Sequence, residues 1–151
     1  MEIENIVREV NYIIIRNLDA QEGYKEAAEN VDNDELRKAL YDESERRESY
    51  ARELQQEIKQ LNANAAETTS MEAIWNRLWI EIKGLFATQD DSSIIEECRK
   101  ADSEALVAYD TIIDIGDRFL PSRIYNIITK QRQEIALTYQ ALMKYHDLKI
   151  V

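Results

Sequence analysis

The stretch IEECRKADSEALVAYDTIIDIGDRF, residues 95–119, decides how this chain folds. Steps of three and four residues through it pick out Ile95, Cys98, Asp102, Ala105, Tyr109, Ile112, Gly116 and Phe119, the repeat of a helix that keeps one stripe against its neighbours. Asp102 alone breaks the stripe. A carboxylate taken out of water is unfavourable unless a cation, a metal or hydrogen-bond donors meet it, so what meets Asp102 is the functional question.

The same step recurs on either side. It runs through Ile3, Ile6, Val10, Ile13, Asn17, Ala20, Tyr24, Ala27 and Val31, with Val7, Ile14 and Gln21 flanking, and predicts one long first helix. Asn33 is placed to cap a second helix, whose seam is Leu36, Leu40, Glu43, Arg47, Tyr50, Leu54, Ile58 (or Glu57) and Leu61. Residues 62–68 read as a loop. Thr69-x-x-Glu72 reads as a capping box for a shorter helix carrying Trp75 and Trp79, and Ser93-x-x-Glu96 as a second box opening the central helix. Gly116 and Pro121 bracket the end of that helix, with Pro121 at the first position of the next. The last helix steps through Ile124, Ile127, Gln131, Glu134, Thr138, Ala141 and Tyr145, with Ile128, Ile135 and Leu142 flanking. Three Gly, one Pro and 32% charged residues suit long soluble helices, so the expected fold is all-α: one domain, residues 1–151, an antiparallel four-helix bundle with an additional short helix between the second and third long ones.

Composition excludes several functions. A net charge of −11 is wrong for gripping a phosphate backbone, so nucleic acid is not an expected partner. No apolar run nears the ~20 residues of a membrane span and no leader precedes the first helix, so a soluble, cytoplasmic protein is expected. Cys98 is the single cysteine and is read as a small buried hydrophobe. No Gly-rich phosphate loop, Ser-His-Asp set or Cys-His pair is present.

Each long helix interrupts its seam near the middle: Asn17 and Gln21, then Glu43 and Arg47, then Asp102, then Gln131 and Glu134. In a bundle these positions fall at similar heights and predict one buried polar layer. Ferritin-like proteins build a di-metal site at that place, from a Glu on each of two helices and Glu-x-x-His on the other two. Here there is no Glu-x-x-His, and the single histidine, His146, lies near the chain end. Arg47 suits Asp102, since a guanidinium can hold a carboxylate through two hydrogen bonds. The expectation is therefore a metal-free network without catalytic residues or cofactor. The alternative is a carboxylate-bridged iron or manganese site of oxidase or storage type using Glu43, Glu45, Glu48, Asp102 and Glu134. Tyr24, Tyr50, Tyr109 and Tyr145 fall on seams and are read as core residues with hydrogen-bonded hydroxyls.

The run Asn17-Leu18-Asp19-Ala20-Gln21-Glu22-Gly23-Tyr24-Lys25-Glu26-Ala27-Ala28-Glu29-Asn30-Val31 resembles the first helix of an uncharacterised bacterial family of ferritin-like four-helix bundles, a domain of unknown function. The resemblance continues through Glu45-Arg46-Arg47, Glu53-Leu54, Trp79-Ile80-Glu81-Ile82-Lys83 and from Glu97-Cys98 to Tyr109. Where members often carry His-Arg ahead of the Trp, this chain has Asn76-Arg77-Leu78-Trp79; where they often carry Gly-Glu, it has Ala101-Asp102. Both departures remove or shorten a potential ligand. The resemblance implies a ferritin-like bundle, with homodimers as one form of it, loosely tied to stress responses and without an assigned reaction. Trp75 and Trp79 are read as covering a face of the bundle, with docking of a partner helix or a second copy on that short helix as an alternative.

Overall fold

The computed structural model describes residues 3–66, 86 and 89–150, apart from the side chains of residues 117 and 146–150. Among the described residues there are four helices and no strand: α1 (Ile3–Asn30), α2 (Asp34–Gln60), α3 (Asp91–Phe119) and α4 (Ser122–Ile150). The short helix expected around Trp75 and Trp79, and its capping box, lie outside the described residues.

The helix ends follow from side-chain chemistry. Asn33 caps α2 by accepting from the backbone N–H of Leu36 at 2.8 Å, and the acidic Asp34 and Glu35 suit the positive end of the helix dipole. At the other end of α2, Asn62 takes a left-handed conformation (φ 58°), which its short polar side chain tolerates, and its N–H reaches the Lys59 carbonyl. α3 starts earlier than the Ser93 box predicts. Its cap is Asp90, which accepts from the Ser93 N–H at 2.9 Å, so Ser93 lies inside the first turn. Pro121 likewise sits one place before its expected position, its carbonyl accepting the first helical bond from Tyr125. Gly116 lets the Leu120 side chain fold back over the last turn of α3; a Cβ at that position would meet it and oblige it to move aside.

Hydrogen bonds across the bundle fix the topology. From Asn17 to Tyr24 along α1, the partners on α3 run backward from Tyr109 to Asp102, so these helices are antiparallel. The same holds for α3 and α4 (Arg99 with the Tyr139 carbonyl, Asp110 with Arg132) and for α2 and α4 (Tyr50 with Glu134, Glu43 with Thr138). α1 lies against α2 and α3, and α4 against α2 and α3, leaving α1/α4 and α2/α3 as diagonals. α2 and α3 consequently run parallel. After α2, the Ala66 N–H and the Asn64 carbonyl bond Asn11 near the start of α1. α3 begins at the opposite end, where the Asp91 carboxylate accepts from the backbone N–H groups of Asp32 and Asn33 at 2.8 and 3.0 Å. Those two points are about 30 Å apart along α1.

Among the described residues, two apolar clusters fill the interior. One gathers Ile6, Val10, Ile13, Ile14, Leu54, Ile58, Ile112, Ile128 and Ile135; the other gathers Ala20, Ala27, Leu36, Leu40, Phe86, Ile94, Ile95, Cys98 and Leu142. The seams of α1, α2 and α3 are buried as the periodicity predicts, except at the ends: Ile3 and Phe119 are exposed. α4 differs. Its column Ile128, Ile135, Leu142, expected on the flank, is fully buried, whereas Ala141 is exposed and Ile127 only half-buried. A helix wedged between two neighbours buries the stripe between them, and period alone does not say which of two adjacent columns that is.

Candidate functional site

Between the two apolar clusters every long helix contributes polar side chains, and their hydrogen bonds sort them into two tiers. The first is ionic. Arg47, on α2, is among the largest fully buried side chains. Its Nε donates to Glu43 Oε2, one turn back on the same helix, and its Nη2 to Asp102 Oδ1 across the α2/α3 diagonal, both at 2.8 Å. Tyr24, on α1, donates its hydroxyl to Asp102 Oδ2, and its ring lies 5.3 Å from the Arg47 guanidinium carbon. Glu43 Oε1 accepts from Arg46 Nη1 at 2.6 Å and from the Thr138 hydroxyl of α4 at 3.0 Å. All four carboxylate oxygens of Glu43 and Asp102 are thus held by protein donors.

Burial and charge oppose each other here. Burial works against the Arg47 cation, but Asp102 and Glu43 outweigh it and hold the guanidinium protonated well above its ordinary range. Burial pushes the Asp102 carboxyl above its usual pKa; the Arg47 charge and the Tyr24 hydrogen bond pull it back, and Glu43 adds to the push. The asymmetry has a simple origin: inside the bundle two carboxylates share one guanidinium. The second guanidinium, Arg46, answers from the rim, with its side chain 49% exposed. Burial, reinforced by Asp102, raises the Tyr24 phenol well above its ordinary pKa, so it serves as a hydrogen-bond donor. Burial also raises Cys98, a neighbour of this tier, and keeps it a thiol.

The second tier is an amide–phenol chain. Asn17 Nδ2 donates to the Tyr109 hydroxyl at 2.7 Å and to the Ile13 carbonyl at 3.1 Å; the Tyr109 hydroxyl in turn donates to Gln131 Oε1 at 2.7 Å. Gln131 Nε2 donates to the Tyr50 carbonyl at 3.2 Å and to Glu53 at 3.0 Å, while the Tyr50 hydroxyl donates to Glu134 at 2.9 Å. Burial raises the pKa of both Tyr50 and Tyr109, so both remain phenols.

Of the residues read from sequence, Asn17, Glu43, Arg47, Asp102 and Gln131 are buried in this layer, and Glu134 stands half-buried at its edge. Gln21 sits apart: it bonds Glu48 on the α1–α2 flank, and its carbonyl accepts from Ser44. The carboxylates of the alternative metal set are dispersed. Glu45 is exposed, Glu48 is engaged by Gln21 and Arg52, and Glu134 by Tyr50. Among the described residues no three of His, Cys, Asp and Glu are grouped so as to hold a metal ion. Arg46 is a member of the tier that the sequence analysis does not include in the polar layer. Its place three residues after Glu43, on the same helix face, was the available signal.

This diagonal network of α1, α2 and α3 lies within the part of the chain, residues 5–114, that matches the model described as Domain of unknown function (DUF2383). The chain belongs to that family. The DUF2383 match ends inside α3, so the α4 contributions, Gln131, Glu134 and Thr138, stand beyond it. No curated protein matches the chain. No described helix is long and apolar enough to cross a membrane.

Proposed function

We propose that this DUF2383 protein is a ferritin-like bundle in which Arg47 takes the central position that a metal pair holds in ferritin-like proteins, and that it acts through its surface or by self-association. The single observation that carries this reading is the saturation of Asp102 and Glu43: each oxygen already accepts from Arg47, Tyr24, Arg46 or Thr138. A divalent cation would have to displace a fully buried guanidinium and would meet its charge at close range. The parallel α2/α3 diagonal, with its link between opposite ends of the bundle, supports the ferritin-like assignment, since one long crossover distinguishes those folds from up-and-down bundles. The short tryptophan-bearing helix, a cytoplasmic bacterial setting, homodimer formation and a place in stress responses belong to the same proposal.

Elemental analysis of protein purified without chelator, followed by aerobic Fe(II) titration, tests it. The expected result is substoichiometric metal and no iron-dependent absorbance change. Stoichiometric iron or manganese, lost on replacing Asp102, would replace this reading with the carboxylate-bridged oxidase or storage protein. Sedimentation over a range of concentrations tests self-association, and a strict monomer at high concentration would remove it.

A further inference from the structure

The outer face of α1 is buried, although α2 and α3 pack on its other side. α1 meets α3 through Asn17 and Tyr24 and α2 through Gln21, and among the described helices only α2 and α3 lie against it. Four-residue steps from Asn11 pick out a different row, Ile15, Asp19, Gly23 and Ala27, one ridge that winds across the back of the helix from the α2 side to the α3 side. Every member after Asn11 is buried, Ile15 at 5% and Asp19 at 3% exposure, while Glu22 and Lys25 beside the row are exposed. Something therefore covers the ridge.

The chain itself supplies both ends of a cover. Where it leaves α2, Asn11 accepts from the Ala66 N–H and donates to the Asn64 carbonyl at the start of the ridge. Where it returns, Phe86 is helical, fully buried and packed in the cluster that holds Ala27, at the ridge's end. From Asn11 to Ala27 is about 24 Å of helix, and the nineteen residues between Ala66 and Phe86 make about 28 Å as a helix and more than twice that when extended. Their composition suits the row. Ile74, Trp75, Leu78, Ile82 and Leu85 recur at helical spacing, and Trp75, Arg77, Trp79 and Lys83 offer N–H donors to the buried Asp19 carboxylate.

We infer that residues 67–85 of the same chain lie as a helix along the ridge of Ile15, Asp19 and Gly23, with Trp75 and Trp79 against α1. The inference rests on the short helix of the reading above and not on the metal-free tier, so stoichiometric metal at Asp102 would leave it standing. It withdraws the two tryptophans from the docking surface of any self-association.

Trp75 and Trp79 are the two tryptophans of the chain, so their emission reports on this segment alone. The test attaches a nitroxide, a short-range quencher of indole emission, to the whole protein at Glu22→Cys beside the ridge or at Leu137→Cys on α4, both exposed positions, in a Cys98→Ala background. Expected are loss of most of the emission from position 22 and almost none from position 137, with circular dichroism showing both variants helical. No loss from position 22, an equal loss from both positions, or emission at the wavelength of indole in water would overturn the proposal. Unlabelled protein is then co-refolded with an excess of labelled Glu22→Cys chains that also carry Trp75→Phe and Trp79→Phe. Unchanged emission is expected, and quenching would overturn the proposal in favour of a helix exchanged between two copies.

Discussion

The two tiers of the polar layer are built from different chemistry in the same bundle. The Asn17–Tyr109–Gln131 chain is neutral: Asn17 donates to Tyr109, Tyr109 to Gln131 and Gln131 to the Tyr50 carbonyl, so removal of one group costs about the desolvation of its neighbours. The Tyr24–Asp102–Arg47–Glu43 tier is ionic and out of balance, two acids to one buried base, so the cost of a substitution depends on which sign of charge is removed. The comparison teaches that Arg47 is the keystone and Asp102, although it flags the site in the sequence, is the more dispensable partner.

The largest effect should come from Arg47→Met, which strands two carboxylates in the interior. It should destabilise by about 3–5 kcal/mol in urea unfolding. A loss below that of the neutral-tier variant would remove the distinction between the tiers. Next comes Tyr109→Phe, which deletes the hydroxyl joining α1 to α4 and should cost about 1–3 kcal/mol. Asp102→Asn is smaller still at neutral pH, below about 1 kcal/mol, because an amide can still accept from Arg47 and donate to Tyr24, and Glu43 then pairs with Arg47 one to one. A cost matching Arg47→Met would show that Asp102, not Arg47, organises the tier.

The pH dependence sharpens the same contrast. Asp102 has a folded pKa above its unfolded value, so its contribution is fully present below the unfolded pKa and is lost as pH rises through the folded pKa. The stability of wild type relative to Asp102→Asn should therefore grow as pH is lowered from neutral toward the ordinary carboxylate range. Urea titrations of both proteins across that window would check it. A difference that shrinks on acidification would mean that the ion pair outweighs burial and depresses the pKa.

Much of this was legible in the chain. The three-four periodicity placed four helices because helical geometry is local, and it found Asn17, Glu43, Arg47, Asp102 and Gln131 because a polar residue on an apolar stripe is visible without coordinates. The Asn33 cap was legible for the same reason. The Asp90 cap was not, since Asp90, Asp91, Ser92 and Ser93 all have capping side chains and the choice depends on where α3 docks against the α1–α2 turn. Gln21, read on the flank of the first helix and yet counted with the layer, stays on the flank, because one turn beyond Asn17 the helix carries it toward Glu48 of α2.

By itself, then, the sequence determined the helices, their inward faces and the presence of a charged group that had to be neutralised, all of them consequences of local period and of the cost of burying charge. Tertiary packing alone set the diagonal along which the Arg47–Asp102 pair read from the sequence forms, the closure of the same carboxylate by Tyr24, and the division of the layer into an ionic and a neutral tier. Those outcomes depend on relative height and rotation between helices distant in the chain. Packing sets both, and no spacing within a single helix contains them.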